Sequence, residues 1–131
     1  RALSEAGAEV LLLPSCTETL RGATRVHVGA RARALENQCY TIVSQTIGEA
    51  VWTPTVDYNY GYCAAYATPD VGLPEDGIVQ LGPHQQKGWL IQEFDIALNR
   101  AVRENGGVRN FHDHRRVQML MKDLKVVRVR C

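Results

Sequence analysis

Glu9-Val10-Leu11-Leu12-Leu13-Pro14-Ser15-Cys16-Thr17, followed by Arg33-Ala34-Leu35-Glu36-Asn37-Gln38-Cys39-Tyr40-Thr41-Ile42-Val43-Ser44, decides the fold. The first stretch is a short continuous apolar run closed by a proline, the pattern of a strand buried on both faces. The second leaves a helix and passes straight into β-branched and aromatic residues, which predicts another strand. Between the two, Leu20, Ala23, Val26, Ala30 and Ala34 recur at spacings of three and four, and Thr17 or Thr19 stands where a helix N-cap is needed. Strand, helix, strand in that order predicts a crossover unit with parallel pairing. The fold class that follows is α/β, with helices layered on a sheet.

Outward from this unit the pattern becomes more irregular. Arg1 to Ala6 reads as the end of a helix stopped by Gly7. Residues 48–60 mix Pro54, Asp57 and Asn59 with Trp52, Tyr58 and Tyr60, and read as a long loop or irregular hairpin whose rings either serve function or cover a sheet edge. Residues 61–67, 77–81 and 88–94 read as successive strands separated by turn residues. Asp95 is placed to cap a helix from Ile96 to about Glu104, which Gly106-Gly107 ends.

With 131 residues, 45% of them hydrophobic and 22% charged, the chain is expected to form one globular core and not to be disordered. No apolar run approaches membrane-spanning length and the N-terminus lacks a signal pattern, so the expected home is the cytoplasm. The first residue is Arg and not Met, which reads as a processed product or a piece of something longer. Cys16, Cys39, Cys63 and Cys131 are widely spaced without a Cys-x-x-Cys pair, and are expected to be free thiols. The net charge of +1 conceals an asymmetry: residues 108–131 carry seven basic side chains against two acidic ones, a balance of +5, leaving −4 on the remainder. A basic tail on an acidic body suits either a polyanion or a packing contact.

Several stretches resemble the second half of the nitrilase superfamily of carbon-nitrogen hydrolases, from about Ala2 to His114. Ala6-Gly7-Ala8-Glu9-Val10-Leu11-Leu12-Leu13-Pro14-Ser15 looks like that family's small-residue turn and strand after the nucleophile helix. Arg31 to Tyr40 resembles its Arg-Ala-x-Glu-Asn helix end and next strand. Gly61-x-Cys63 with Pro69-Asp70 resembles its Gly-x-Ser and Pro-x-Gly hairpin, and Phe94-Asp95-Ile96 its strand-to-helix step. The departures are Val26 and His27, where the family often carries an aromatic and a carboxylate, and Cys63 and Asp70, where it usually carries Ser and Gly. They bear on substrate class more than on fold.

The resemblance implies part of an αββα sandwich working through a Glu, Lys and Cys triad, with no cofactor and with an amide or nitrile as substrate. None of the triad falls in this chain: Lys87, Lys122 and Lys125 are the only lysines, and no context matches. The expectation is therefore no catalytic residue here and no turnover by the chain alone. The resemblance also implies homo-oligomers joined through the helix after the nucleophile and the Arg-Ala-x-Glu-Asn helix. The implied organisation is residues 1–114 as the C-terminal half of the hydrolase domain and 115–131 as a basic extension.

Cys16 follows a strand and precedes a helix start, a position that favours a thiolate, and Cys16 with His27 would make a minimal Cys/His hydrolase. The reading adopted places Ser15, Cys16 and Thr17 on the pocket floor instead, with Gln45 and Tyr60 aimed at the same sheet end. Arg33, Glu36 and Asn37 are read as structural, an ion pair and amide holding the helix-strand junction. His112-Asp113-His114 lacks a further ligand unless His84 or His27 supplies one, and is read as a solvated basic loop with no metal. The rivals are a non-catalytic interaction module whose tail, Arg115 to Arg130, binds nucleic acid or an acidic partner, and a pseudoenzyme. Against the first, Met119, Leu120, Leu124, Val126 and Val127 make the tail an amphipathic packing element, so neither nucleic acid nor membrane is the expected partner.

Overall fold

A computed structural model describes residues 1–123 and Lys125. The short helix α1 (Ala2–Glu5) turns at Gly7 into strand β1 (Val10–Ser15), and helix α2 (Leu20–Asn37) carries the chain to strand β2 (Tyr40–Gln45). β1 and β2 pair in parallel from Val10 opposite Tyr40 to Ser15 opposite Gln45, as the crossover pattern requires. Thr19 is the N-cap, its hydroxyl accepting the Gly22 N–H at 3.1 Å. Thr17 packs behind it, and a Cβ on Gly22 would lie 2.9 Å from the Thr17 Cβ, so only glycine admits this close approach.

Strands β3 (Gly48–Glu49) and β4 (Tyr58–Asn59) make a two-residue antiparallel ladder at the base of an irregular hairpin. Strand β5 (Ala64–Tyr66) returns antiparallel to β2, and β6 (Ile78–Leu81) pairs antiparallel to β5, giving a mixed sheet in the order β1-β2-β5-β6. Helix α3 (Ile96–Asn105) begins where Asp95 accepts the Leu98 N–H at 2.8 Å, and helix α4 (Asn110–Leu120) runs into a single 3₁₀ turn (Met121–Asp123). The core is small: Ala30 and Ala34 of α2 sit on Val43, Ala64 and Tyr66, with Leu13, Val26 and Ile78 at the margin. Alanines on the buried stripe let the helix lie close to the sheet, and Thr41 donates its hydroxyl to the Ala30 carbonyl at 3.1 Å.

Three expectations of local structure need correction. β1 is not buried on both faces: Leu13 enters the core while Leu12 is 72% exposed, because among the described residues a second layer covers only one side of the sheet. Residues 88–94 do not form a strand. They lie beyond β6 without a ladder partner, and Trp89 is 95% exposed; Phe94 instead packs its ring 4.9 Å from that of Tyr40. His112, Asp113 and His114 are not in a loop but on α4, which continues unbroken past position 114. Of the amphipathic tail, Met119 and Leu120 are exposed, while Leu124, Val126 and Val127 fall outside the described residues.

The ion pair and the amide expected at the helix-strand junction are both present, the pair on the surface. Arg33 and Glu36 meet at 3.2 Å with 51% and 55% of their side chains exposed, a surface pair of small energetic consequence. Gln38 does the holding. It is fully buried in the left-handed conformation (φ 45°), its Nε2 donates to the carbonyls of Val102 and Val108, and its Oε1 accepts the Phe111 N–H at 3.0 Å. Its own carbonyl receives Asn99 and both Nε and Nη2 of Arg103, so α2, α3 and α4 are tied at one residue. Asn37, buried beside it, donates back to the Arg33 carbonyl at 2.9 Å. Farther out, Arg100 grips Glu9 with two hydrogen bonds of 2.6 and 2.8 Å, which hold the Glu9 carboxyl below its ordinary pKa.

Candidate functional site

At the end of the parallel pair opposite the Gln38 junction, polar side chains converge. Gln45 closes β2 and is almost entirely buried; its Nε2 donates to Ser15 Oγ at 3.2 Å and to Thr17 Oγ1 at 3.5 Å. Thr17 in turn donates its hydroxyl to the Tyr60 carbonyl at 2.8 Å, while the Tyr60 N–H returns to the Thr17 carbonyl at 2.7 Å. Four of the five residues expected on the pocket wall, Ser15, Thr17, Gln45 and Tyr60, are thus in one hydrogen-bonded group. Cys16 lies beside them with its side chain exposed.

The hub of this group is His27, which from sequence alone is a possible partner for Cys16 or a metal. His27, on the buried face of α2 and 3% exposed, places Nε2 2.9 Å from Gln45 Oε1 and Nδ1 2.7 Å from the Tyr66 hydroxyl. The proton positions follow from the backbone. Because the Tyr62 N–H also points at Gln45 Oε1, that atom is the acceptor, His27 Nε2 carries the proton, and Nδ1 accepts the Tyr66 O–H. Burial holds the imidazole neutral by lowering its pKa, and burial pushes the Tyr66 phenol up to about 12, so the tyrosine keeps the proton it donates. Both His27 nitrogens are thus engaged inside the fold, Nε2 with Gln45 and Nδ1 with Tyr66.

A second set of contacts reaches from this hub to the surface. The Tyr62 ring lies between two imidazoles, 3.7 Å from His27 at an interplanar angle of 2° and 3.9 Å from His84 at 8°. Tyr60 meets His84 edge-on and its hydroxyl lies 3.0 Å from His84 Nδ1. Gly61 makes this possible: a Cβ there would fall 2.4 Å from the Gln45 Cβ, so the hairpin approaches the end of β2 only with glycine at that position. His27, the Tyr62/Tyr66 pair and His84 come from three separate stretches of sequence, α2, the segment through β5 and the turn after β6, and the only local signal of their grouping is the polar Gln45 at the end of β2.

Neither His84 nor His27 completes a site with His112-Asp113-His114; His112 faces Glu104 at 3.5 Å. The described residues contain no group of three or more His, Cys, Asp or Glu side chains that could hold a metal. Nor do they include a helix long and apolar enough to cross a membrane.

No family model matches the chain. Among curated proteins it is similar to probable hydrolase YhcX of Bacillus subtilis (strain 168), at 35% identity over 116 residues that make up 88% of this chain and 23% of that protein. It is also similar to deaminated glutathione amidase of Homo sapiens, at 43% identity over 47 residues, 36% of this chain and 14% of that protein. The chain therefore spans less than a quarter of the length of either relative. The strand, helix and parallel strand that carry the sequence motifs are in place, and the relatives that match, one named a hydrolase and the other an amidase, are members of the nitrilase superfamily whose C-terminal half those motifs resemble.

Proposed function

We propose that this chain is the C-terminal half of a nitrilase-type hydrolase that cleaves an amide or nitrile carbon-nitrogen bond, and that it supplies a wall of the pocket while the nucleophilic cysteine lies upstream. The observation that carries the proposal is the converging group of Ser15, Thr17, Gln45 and Tyr60 at the end of a parallel strand pair, the end at which ligands of open α/β sheets bind. The chemistry requires a thiolate to attack the carbon, a carboxylate to move protons and a cation to stabilise the developing negative charge. The residues gathered here are neutral hydrogen-bonding groups. They suit orientation of a polar substrate and not bond breaking.

The exposed face of β1, with Leu12 uncovered, supports the view that a second layer belongs on this sheet, as in an αββα sandwich. Leu20 and Val28, exposed on α2, support self-association of the complete protein. The free thiols of Cys16, Cys39 and Cys63 support a reducing compartment, the cytoplasm.

The test is activity with and without the preceding segment. The chain alone, offered simple amides and nitriles, should show no turnover; a longer protein that includes the upstream cysteine should hydrolyse them. Turnover by the chain alone that disappears in Cys16→Ser would overturn the proposal.

A further inference from the structure

The outermost ring of the stack is exposed, yet it is held as firmly as a core residue. His84 sits in the turn after β6, and the next residue, Gln85, adopts a left-handed conformation (φ 56°) that costs a non-glycine residue energy. Gln85 then fastens the turn onto the 58–61 segment: its N–H donates to the Gly61 carbonyl, its Oε1 accepts the Gly61 N–H, and its Nε2 donates to the Tyr58 hydroxyl and the Asn59 carbonyl. The Tyr60 hydroxyl at His84 Nδ1 fixes the rotation of the imidazole, and Tyr62 occupies one of its faces. Tyr60, whose ring borders His84, shares its backbone with the Thr17 and Gln45 group. A surface histidine needs none of this to be soluble.

From this arrangement we infer that the outer face of His84, bordered by Tyr60, is a ledge on which a planar π-bearing part of the ligand stacks, and that the strand-end site prefers aromatic over saturated acyl groups. A ring already ordered by Gln85 and Tyr60 loses little freedom when a ligand stacks on it, so the gain from the contact is retained. Parallel stacking with ring centroids 3.7 and 3.9 Å apart is the geometry already present between His27, Tyr62 and His84, and a planar ligand extends that series by one member. The polar end of the same ligand then lies toward Tyr60, Thr17 and Gln45. The choice of an amide as the polar end rests on the hydrolase reading; the ledge does not.

The matched pair benzamide and cyclohexanecarboxamide tests it, since the two differ in the π face and little in size or polarity. Titrated into the full chain, benzamide should bind roughly threefold to tenfold more tightly, the range expected for one aromatic contact, and should shift the His84 ring signals in ¹H–¹³C NMR spectra where cyclohexanecarboxamide does not. His84→Ala should abolish the preference and His84→Phe should keep it; the position is exposed, so the fold should persist in both variants, which the backbone spectrum reports. Equal affinities, or a preference that survives His84→Ala, overturn the ledge. A preference without hydrolysis of either amide by the longer protein leaves the ledge standing and removes the hydrolase reading. Hydrolysis of both at equal kcat/KM does the reverse.

Discussion

β2 is bracketed by two glutamines that solve opposite problems with the same side chain. Gln38, just before the strand, spends its amide entirely on main-chain groups of α3 and α4 and of the turn between them. Gln45, at the far end, bonds chiefly to side chains: His27, Ser15 and Thr17. Main-chain partners cannot titrate, rotate or be exchanged, so the first amide is a lock. Side-chain partners can do all three, so the second is an adjustable joint, and that is the property expected of a ligand site over a structural seam.

The comparison makes its largest prediction at the lock. Gln38→Ala leaves the carbonyls of Val102 and Val108 and the Phe111 N–H without their partner in a dry interior. At about 1–3 kcal/mol per stranded group, the loss should be about 4 kcal/mol in urea unfolding, enough to leave the chain barely folded. Gln38→Met, which restores volume but no hydrogen bond, should recover little of it. Gln45→Met should cost about half as much, because the one fully buried partner it strands is His27 Nε2–H, while Ser15 and Thr17 are half-buried and water can replace the amide there. Equal losses at the two ends would break the distinction.

Gly61→Ala attacks the joint from its neighbour. The new methyl would overlap the Gln45 Cβ and the Thr46 carbonyl oxygen, and because one of these is backbone the hairpin must shift. Overpacking of this kind costs about 2 kcal/mol. The variant should also separate Tyr62 from its two imidazoles, which NMR of the His27 and His84 rings would report as loss of their ring-current shifts. A variant with reduced stability but unchanged ring signals would mean that the stack does not depend on the approach of Gly61 to Gln45.

Which of these two ends was legible in the sequence is instructive. The crossover unit could be read because it depends on periodicity: the three-and-four spacing of Leu20 to Ala34 and the β-branched run from Cys39 are local signals. The end of β2 was half legible, since a polar Gln45 after Ile42-Val43-Ser44 must find a partner somewhere. His27 was not, because a histidine on a buried helical stripe looks the same whether it anchors a network or merely fills space; Tyr66, thirty-nine residues away in sequence, decides it. Gln38 was missed for a different reason. Arg33 and Glu36 carry charge and drew the structural role, yet charge keeps them in water, and the uncharged neighbour is what the interior accepted. The misread strand at 88–94 shows the limit of composition: Trp89 and Ile91 have strand propensity, but propensity becomes a strand only beside a partner, and β6 offers none there.

The joint, unlike the lock, should respond to pH. His27 has a pKa below its unfolded value because burial disfavours the cation, and protonation at Nδ1 would set two donors, imidazolium and Tyr66 O–H, against each other. The unfolded chain therefore takes up the proton first. Stability contributed by the neutral imidazole is complete above the unfolded value near 6.5 and is lost as pH falls below it toward the native pKa, by up to about 1.4 kcal/mol per unit. The urea midpoint should fall between pH 7.5 and 5.5 more steeply in the natural chain than in His27→Gln, whose amide cannot titrate. Parallel slopes would show that a group other than His27 governs the response.

The smallest effect is expected where the sequence placed the most weight. Glu36→Ala removes an ion pair with Arg33 that is more than half exposed on both sides and spans one turn of α2. Such pairs contribute under about 0.5 kcal/mol and less as salt rises, and the helix end beside them is already secured by Gln38 and by the Asn37 amide on the Arg33 carbonyl. Melting of Glu36→Ala should fall within about 2 °C of the natural chain, and the Gln38→Ala deficit should be unchanged when the two substitutions are combined, since they share no partner. A large loss from Glu36→Ala alone would mean that the lock extends outward to the surface charges and that the two ends of β2 differ less in construction than their hydrogen bonds indicate.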